Sequence, residues 1–122
     1  MSEMILTDND LADPSHWPVT VAFGLFDDQM QGFLGIARGM SNGIGYSAND
    51  KGVLFWNDLD DFDRAHEERF DVECFLLDNS CRLTFLEFYQ YMKLAFTRYS
   101  ERHPECAEEL ENDSRRFADL FL

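Results

Sequence analysis

The stretch TFLEFYQYMKLAFTRYSER, Thr84 to Arg102, limits the fold more than any other part of the chain. Read as a helix from about Phe85 to Arg102, it sets Phe85, Phe88, Tyr89, Met92, Ala95, Phe96 and Tyr99 on one broad face. Leu86, Tyr91 and Leu94 extend the apolar surface almost all round. Such a helix must be enclosed by other elements, so it is expected at the centre of the core. Its start is marked by Thr84 and Glu87, spaced as a T-x-x-E capping box, with Leu83 and Phe88 placed as the hydrophobic staple. Glu87 near the start, and Lys93, Arg98 and Arg102 towards the end, suit the helix macrodipole.

Asp78 to Glu87 also resembles the second half of a calcium-binding loop. If Glu87 were the closing bidentate ligand, the first ligand position would fall on Leu76, which has no side-chain oxygen. The position that needs Gly would fall on Cys81. Only Asp78, Ser80, Thr84 and Glu87 are left as side-chain ligands, and there is no second loop. The segment therefore reads as a turn at Asp78-Asn79-Ser80 followed by a helix start.

The 122 residues suffice for one domain, taken as 1–122. A hydrophobic fraction of 45% with twelve Phe argues against disorder. No apolar run is long enough to span a membrane. The N-terminus has neither a basic region nor an apolar h-region, so no signal peptide is expected and the protein is placed in the cytosol. Residues 1–16 are polar and expected to be loosely held.

Val19, Phe23, Phe26, Met30, Phe33, Leu34 and Ala37 recur at helical spacing and predict an N-terminal amphipathic helix. Gly24, Gly32 and Gly35 weaken it, at about 1 kcal/mol each against Ala. Short strands are then expected at "IGYSA", "GVLFW" and "FDVECFLL"; in the last, Phe70, Val72, Cys74 and Leu76 alternate with Asp71, Glu73, Phe75 and Leu77. After the long helix, Pro104 opens another, with Glu105, Glu108 and Glu109 in its first turns and Arg115 and Arg116 near its end. Ala107, Leu110, Phe117 and Phe121 are placed to pack it on the core. The fold class is α+β: a single domain with an N-terminal helix, a small antiparallel sheet of about three strands and two C-terminal helices.

The chain carries no G-x-S-x-G, H-E-x-x-H, Walker A or Rossmann glycine pattern, so no catalytic residue is assigned and an enzyme is not expected. Cys74, Cys81 and Cys106 match no zinc spacing, and His103 with Cys106 is too small a set for a metal site. No metal and no cofactor are expected. Free thiols suit a reducing compartment.

The charge is more informative. Twenty-four acids against ten Lys and Arg give a formal net charge of -14. Such a surface repels nucleic acid and anionic lipid. It attracts basic proteins and speeds their association, although acidity can also serve solubility alone. The densest charge is in NDLDDFDRAHEERFDVE, where Asp58, Asp60, Asp61, Asp63, Glu67, Glu68, Asp71 and Glu73 stand against Arg64 and Arg69.

The sequence from Gly52 to Glu105 resembles the immunity proteins of bacterial contact-dependent growth inhibition (CDI), in particular the group that neutralises ribonuclease toxins. The resemblance lies in an acidic link, Asp58–Asp63, after the short strand Val53–Trp56. A strand at Val72–Leu77 then leads through the Leu-Thr-x-x-Glu-Phe turn of Leu83–Phe88 into the Tyr-rich helix Tyr89–Glu105. It implies a cytosolic protein without catalytic residues, which as a monomer forms a 1:1 heterodimer with the C-terminal toxin domain of its system. The resemblance carries no binding motif. The charge pattern suggests that Asp58, Asp60, Asp61, Asp63, Glu67 and Glu68 face toxin cations, with Trp56 or Tyr46 as aromatic anchors. Core packing is the competing reading for both rings. Two other readings stay open: a small acidic secretion chaperone that dimerises around a hydrophobic groove, and a nucleic-acid mimic with acids spaced over its whole surface.

Overall fold

The computed structural model describes residues 5–24, 32–48 and 50–122. The elements, in order, are α1 Pro18–Gly24, α2 Gly32–Ser41, β1 Tyr46–Ala48, β2 Lys51–Phe55, α3 Asp61–His66, β3 Val72–Leu76, β4 Asn79–Leu83, α4 Phe85–Arg102 and α5 Ala107–Phe121. The α+β class expected from the sequence is the one observed.

The long helix begins as its sequence directs. Thr84 Oγ1 accepts from the Glu87 N–H at 3.1 Å, and Glu87 Oε1 accepts from the Thr84 N–H at 2.9 Å. Two helix-end donors are thus satisfied reciprocally. Phe88, Tyr91, Met92, Ala95 and Phe96 of α4 are buried. α5 packs along α4 and also against α2. Leu110 and Phe117 of α5 enter the core, whereas Ala107 remains exposed. Rings from distant parts of the chain join there: Phe85 and Phe121 stack at 4.7 Å, Phe117 and Phe121 meet at 4.8 Å, and Phe55 meets Phe88 edge-on at 5.5 Å. Side chains of this size stabilise the fold by roughly 1.5–3 kcal/mol each when fully buried.

The sheet is antiparallel in the order β1-β2-β3-β4, four strands rather than about three. The additional strand is β4, which the sequence reading treats as a turn and helix approach. Its residues Asn79, Ser80 and Arg82 are exposed and only Cys81 and Leu83 are buried, so the apolar alternation is very short. Pairing with β3 creates it, with Cys74 opposite Cys81 and Val72 opposite Leu83. Val53, Phe55, Val72, Cys74, Cys81 and Leu83 form the inner face, which α1 covers. Leu54, Glu73 and Arg82 lie in register on the outer face.

The expected N-terminal helix is divided. α1 ends at Gly24, and α2 opens at Gly32 with φ +73, a left-handed conformation that cannot continue a right-handed helix. Phe26 and Met30 lie outside the described residues. α2 ends in a Schellman turn, with the Gly43 N–H donating to Met40 O and the Ile44 N–H to Gly39 O. Gly43 has φ +77, and a Cβ there would stand 2.6 Å from the Phe121 ring, so both backbone and packing require glycine.

The expectation that residues 1–16 are loosely held does not apply to residues 5–16. Ile5 and Leu6 are fully buried, the Ala12 N–H donates to the Tyr91 hydroxyl at 2.9 Å, and buried His16 bonds the same hydroxyl through Nδ1. Residues 1–4 are outside the described part. α4 supplies the partners for this segment, which is why its polar sequence alone does not announce its docking.

Candidate functional site

The acidic link leaves the sheet at Phe55, turns through Trp56–Asp58, forms α3 and returns at β3. α3 packs only sparsely on other elements. Its position is fixed mostly by polar contacts to the preceding turn. Arg64 turns inward, donating from Nη2 to Asn57 O at 3.0 Å and from Nε towards Trp56 O at 3.4 Å.

The expected carboxylates divide into two kinds. Asp58 Oδ2 accepts from the Gly45 N–H at 2.9 Å and the Phe55 N–H at 2.8 Å, tying the approach to β1 to the end of β2. Gly45 approaches so closely that a Cβ would collide with Val53 O and the Asp58 carboxylate. Asp60 caps α3, accepting from the Asp63 N–H at 2.8 Å. Glu67 pairs with Arg82 at 2.9 Å, and Arg82 in turn lies 3.8 Å from Glu73 and over the Phe70 ring at 4.5 Å. These three expected toxin-facing acids therefore brace the fold. Asp61 makes only a 3.8 Å contact to Arg64 and is fully exposed. The carboxylates of Asp63 and Glu68 are exposed and have no hydrogen bond or ion pair among the described residues.

The two aromatic candidates are both half-buried. Tyr46 is opposite Val53, in the row facing the core, and packs against the core cluster. Trp56 stands edge-on to Phe70 at 5.3 Å, with the Arg69 guanidinium 5.3 Å above its ring. Tyr46 and Asp58 do converge, around a recess of about 220 Å³ that Leu54 and Phe75 also line. Trp56 is not part of its lining.

One residue escapes the sequence reading. Phe62, in the first turn of α3, is 69% exposed between Asp61 and Asp63. Its ring stacks on the His66 imidazole at 4.3 Å, and His66 Nδ1 bonds the Phe62 carbonyl at 2.7 Å. The signal was present as an apolar residue in a charge run with no wide apolar face of its own.

Among the described residues, no group of three or more His, Cys, Asp or Glu is arranged to hold a metal ion, and no helix is long and apolar enough to cross a membrane. Cys74, Cys81 and Cys106 are free thiols.

The family model described as CDI immunity protein matches residues 16–113, most of the chain. The protein belongs to the CDI immunity protein family. Neither a curated protein nor a solved structure matches it.

Proposed function

We propose that this protein binds and neutralises the toxin domain of its own contact-dependent inhibition system, that the toxin is a ribonuclease, and that an acidic surface covers its basic RNA groove. Family membership supports the neutralising role. The observation that carries the mechanism is the charge of -14 together with the exposed carboxylates of the link between β2 and β3. A ribonuclease holds RNA phosphates with cations, and a fixed acidic surface competes for the same groove. Complementary charge steers encounter and can raise association rates to the order of 10⁸ M⁻¹s⁻¹ at low salt.

In this reading the protein works in the cytosol as an inhibitor without catalysis, as one partner of a 1:1 complex. Asp61, Asp63 and Glu68 face the toxin, while Asp58, Asp60 and Glu67 hold the link in shape beneath them. Trp56 and Tyr46 contribute through packing, with their exposed edges at the rim of the surface.

Calorimetric titration into the C-terminal toxin domain encoded directly upstream, at low and moderate salt, tests the proposal alongside an RNA cleavage assay. Tight binding that weakens with salt and abolishes cleavage is the expected result. Lack of binding to the folded domain would instead favour a chaperone for an unfolded segment.

A further inference from the structure

We infer that α3 is a docking ridge whose anchor is Phe62, and that its occupant is the basic nucleic-acid groove of the toxin, an inference that rests on the proposed function. Globular proteins bury large rings, yet Phe62 is 69% exposed while Phe55, Phe88 and Phe117 of the same chain are buried almost completely. The ring is not loose on the surface, because it lies against His66 and the helix cap at Asp60 fixes the turn that carries it. Holding a ring in place beforehand lowers the ordering cost of binding.

The flanks define the partner. Asp61 and Asp63 adjoin the ring in sequence, and Glu68 follows two residues beyond the end of the helix. An apolar partner would have to desolvate these carboxylates without compensation, which is unfavourable. A basic groove supplies cations for them. A π-face flanked by anions is also what single-stranded nucleic acid presents to a protein: bases that stack on aromatic side chains, and phosphates that meet Lys and Arg. Phe62 accordingly takes the place of a base in the groove, and the carboxylates take the places of phosphates. The anchor is thus Phe62, with Trp56 and Tyr46 held back by their packing.

The test uses the full chain and the toxin domain encoded directly upstream, with calorimetry, stopped-flow association and thermal melting. Phe62→Ala is expected to weaken binding by roughly 30-fold or more, mainly through faster dissociation, as truncation of an interface anchor does. Its melting temperature should match the parent, since the ring contributes little to the core. Phe62→Trp retains a π-face and is expected to keep the affinity. Charge reversal of the pair Asp63→Lys and Glu68→Lys should slow association and flatten its salt dependence. A parent that binds the toxin while Phe62→Ala changes affinity by less than about twofold overturns the ridge and leaves the immunity reading intact. A parent that fails to bind the toxin overturns that reading, and the ridge with it.

Discussion

The Arg98 guanidinium grips the Asp10 carboxylate through two hydrogen bonds of 2.6 and 2.7 Å, joining residues 88 positions apart. Arg98 also donates to Ile5 O at 2.9 Å. The N-terminal segment is thereby fastened to the central helix at the place where Ile5 and Leu6 enter the core. Planar, two-pronged pairing of this kind is stronger than a single-point contact.

Asp10→Asn should lower stability by about 1.5–3 kcal/mol, the range for a hydrogen bond to a charged partner. Arg98 holds the Asp10 carboxyl well below its ordinary value, with the Thr7 donors assisting. The contribution of Asp10 is therefore complete above the ordinary Asp value of about 3.9 and is lost as the pH falls through the lowered folded value. Urea unfolding from neutral to strongly acid pH should show this loss in the parent and a shallower dependence in Asp10→Asn. Parallel curves would mean that the pair adds nothing to stability.

The helix cap offers a more local test. Thr84→Ala removes the acceptor for the Glu87 N–H and should cost about 1 kcal/mol in thermal or urea unfolding. Thr84→Ser keeps the hydroxyl and should stay close to the parent. Equal losses in both variants would assign the effect to the Thr84 methyl group rather than to the cap.

The braces and the outward carboxylates of the acidic link should separate cleanly. Asp58→Ala leaves the N–H groups of Gly45 and Phe55 without their shared acceptor and should cost about 1–3 kcal/mol in stability. Asp63→Lys and Glu68→Lys should leave unfolding unchanged within about 0.5 kcal/mol, as surface substitutions do. Reversing every acid from Asp58 to Asp63 together would confuse unfolding with lost binding. Differential scanning calorimetry of each variant, without any toxin, distinguishes the two kinds.

The parts of this fold that are legible in the sequence are those where neighbours along the chain supply each other's partners. Thr84 and Glu87 are three apart, and the apolar surface of α4 lies within one segment, so its ends and its core-facing side could be read directly, whereas Leu86, expected to be enclosed, is 54% exposed. The alternation of Val72 and Cys74 marked β3 in the same way. β4 and residues 5–16 obtain their partners from β3 and α4, and a short polar segment carries no trace of that. In the candidate site, the sequence located the charge but not its division of labour. Asp58 and Asp63 look alike in a run of acids, and only the nearby N–H groups of Gly45 and Phe55 make the first a brace. Phe62 escapes notice in the sequence because an isolated apolar residue ordinarily marks a buried position, a rule that α3 breaks.

Asp113 presents the opposite electrostatic case to Asp10. It is 1% exposed; Oδ1 accepts from Arg116 at 2.8 Å, while Oδ2 is buried with no hydrogen-bond partner among the described residues. Burial pushes this carboxyl above its ordinary value, opposed by Arg116 and, from α2, by Arg38. The folded protein thus takes up the Asp113 proton at higher pH than the unfolded chain. Its contribution is present below the ordinary value and is lost as pH rises through the raised one, so at neutral pH the charged form is a cost. Asp113→Asn retains an acceptor for Arg116 and removes the ionisation. The variant should therefore be at least as stable as the parent at neutral pH and should lose this advantage on mild acidification. The difference between the two urea curves isolates the effect, because Asp10 is common to both proteins. A variant less stable by more than about 1 kcal/mol at neutral pH would show that the attraction of Arg38 and Arg116 outweighs the burial of the charge.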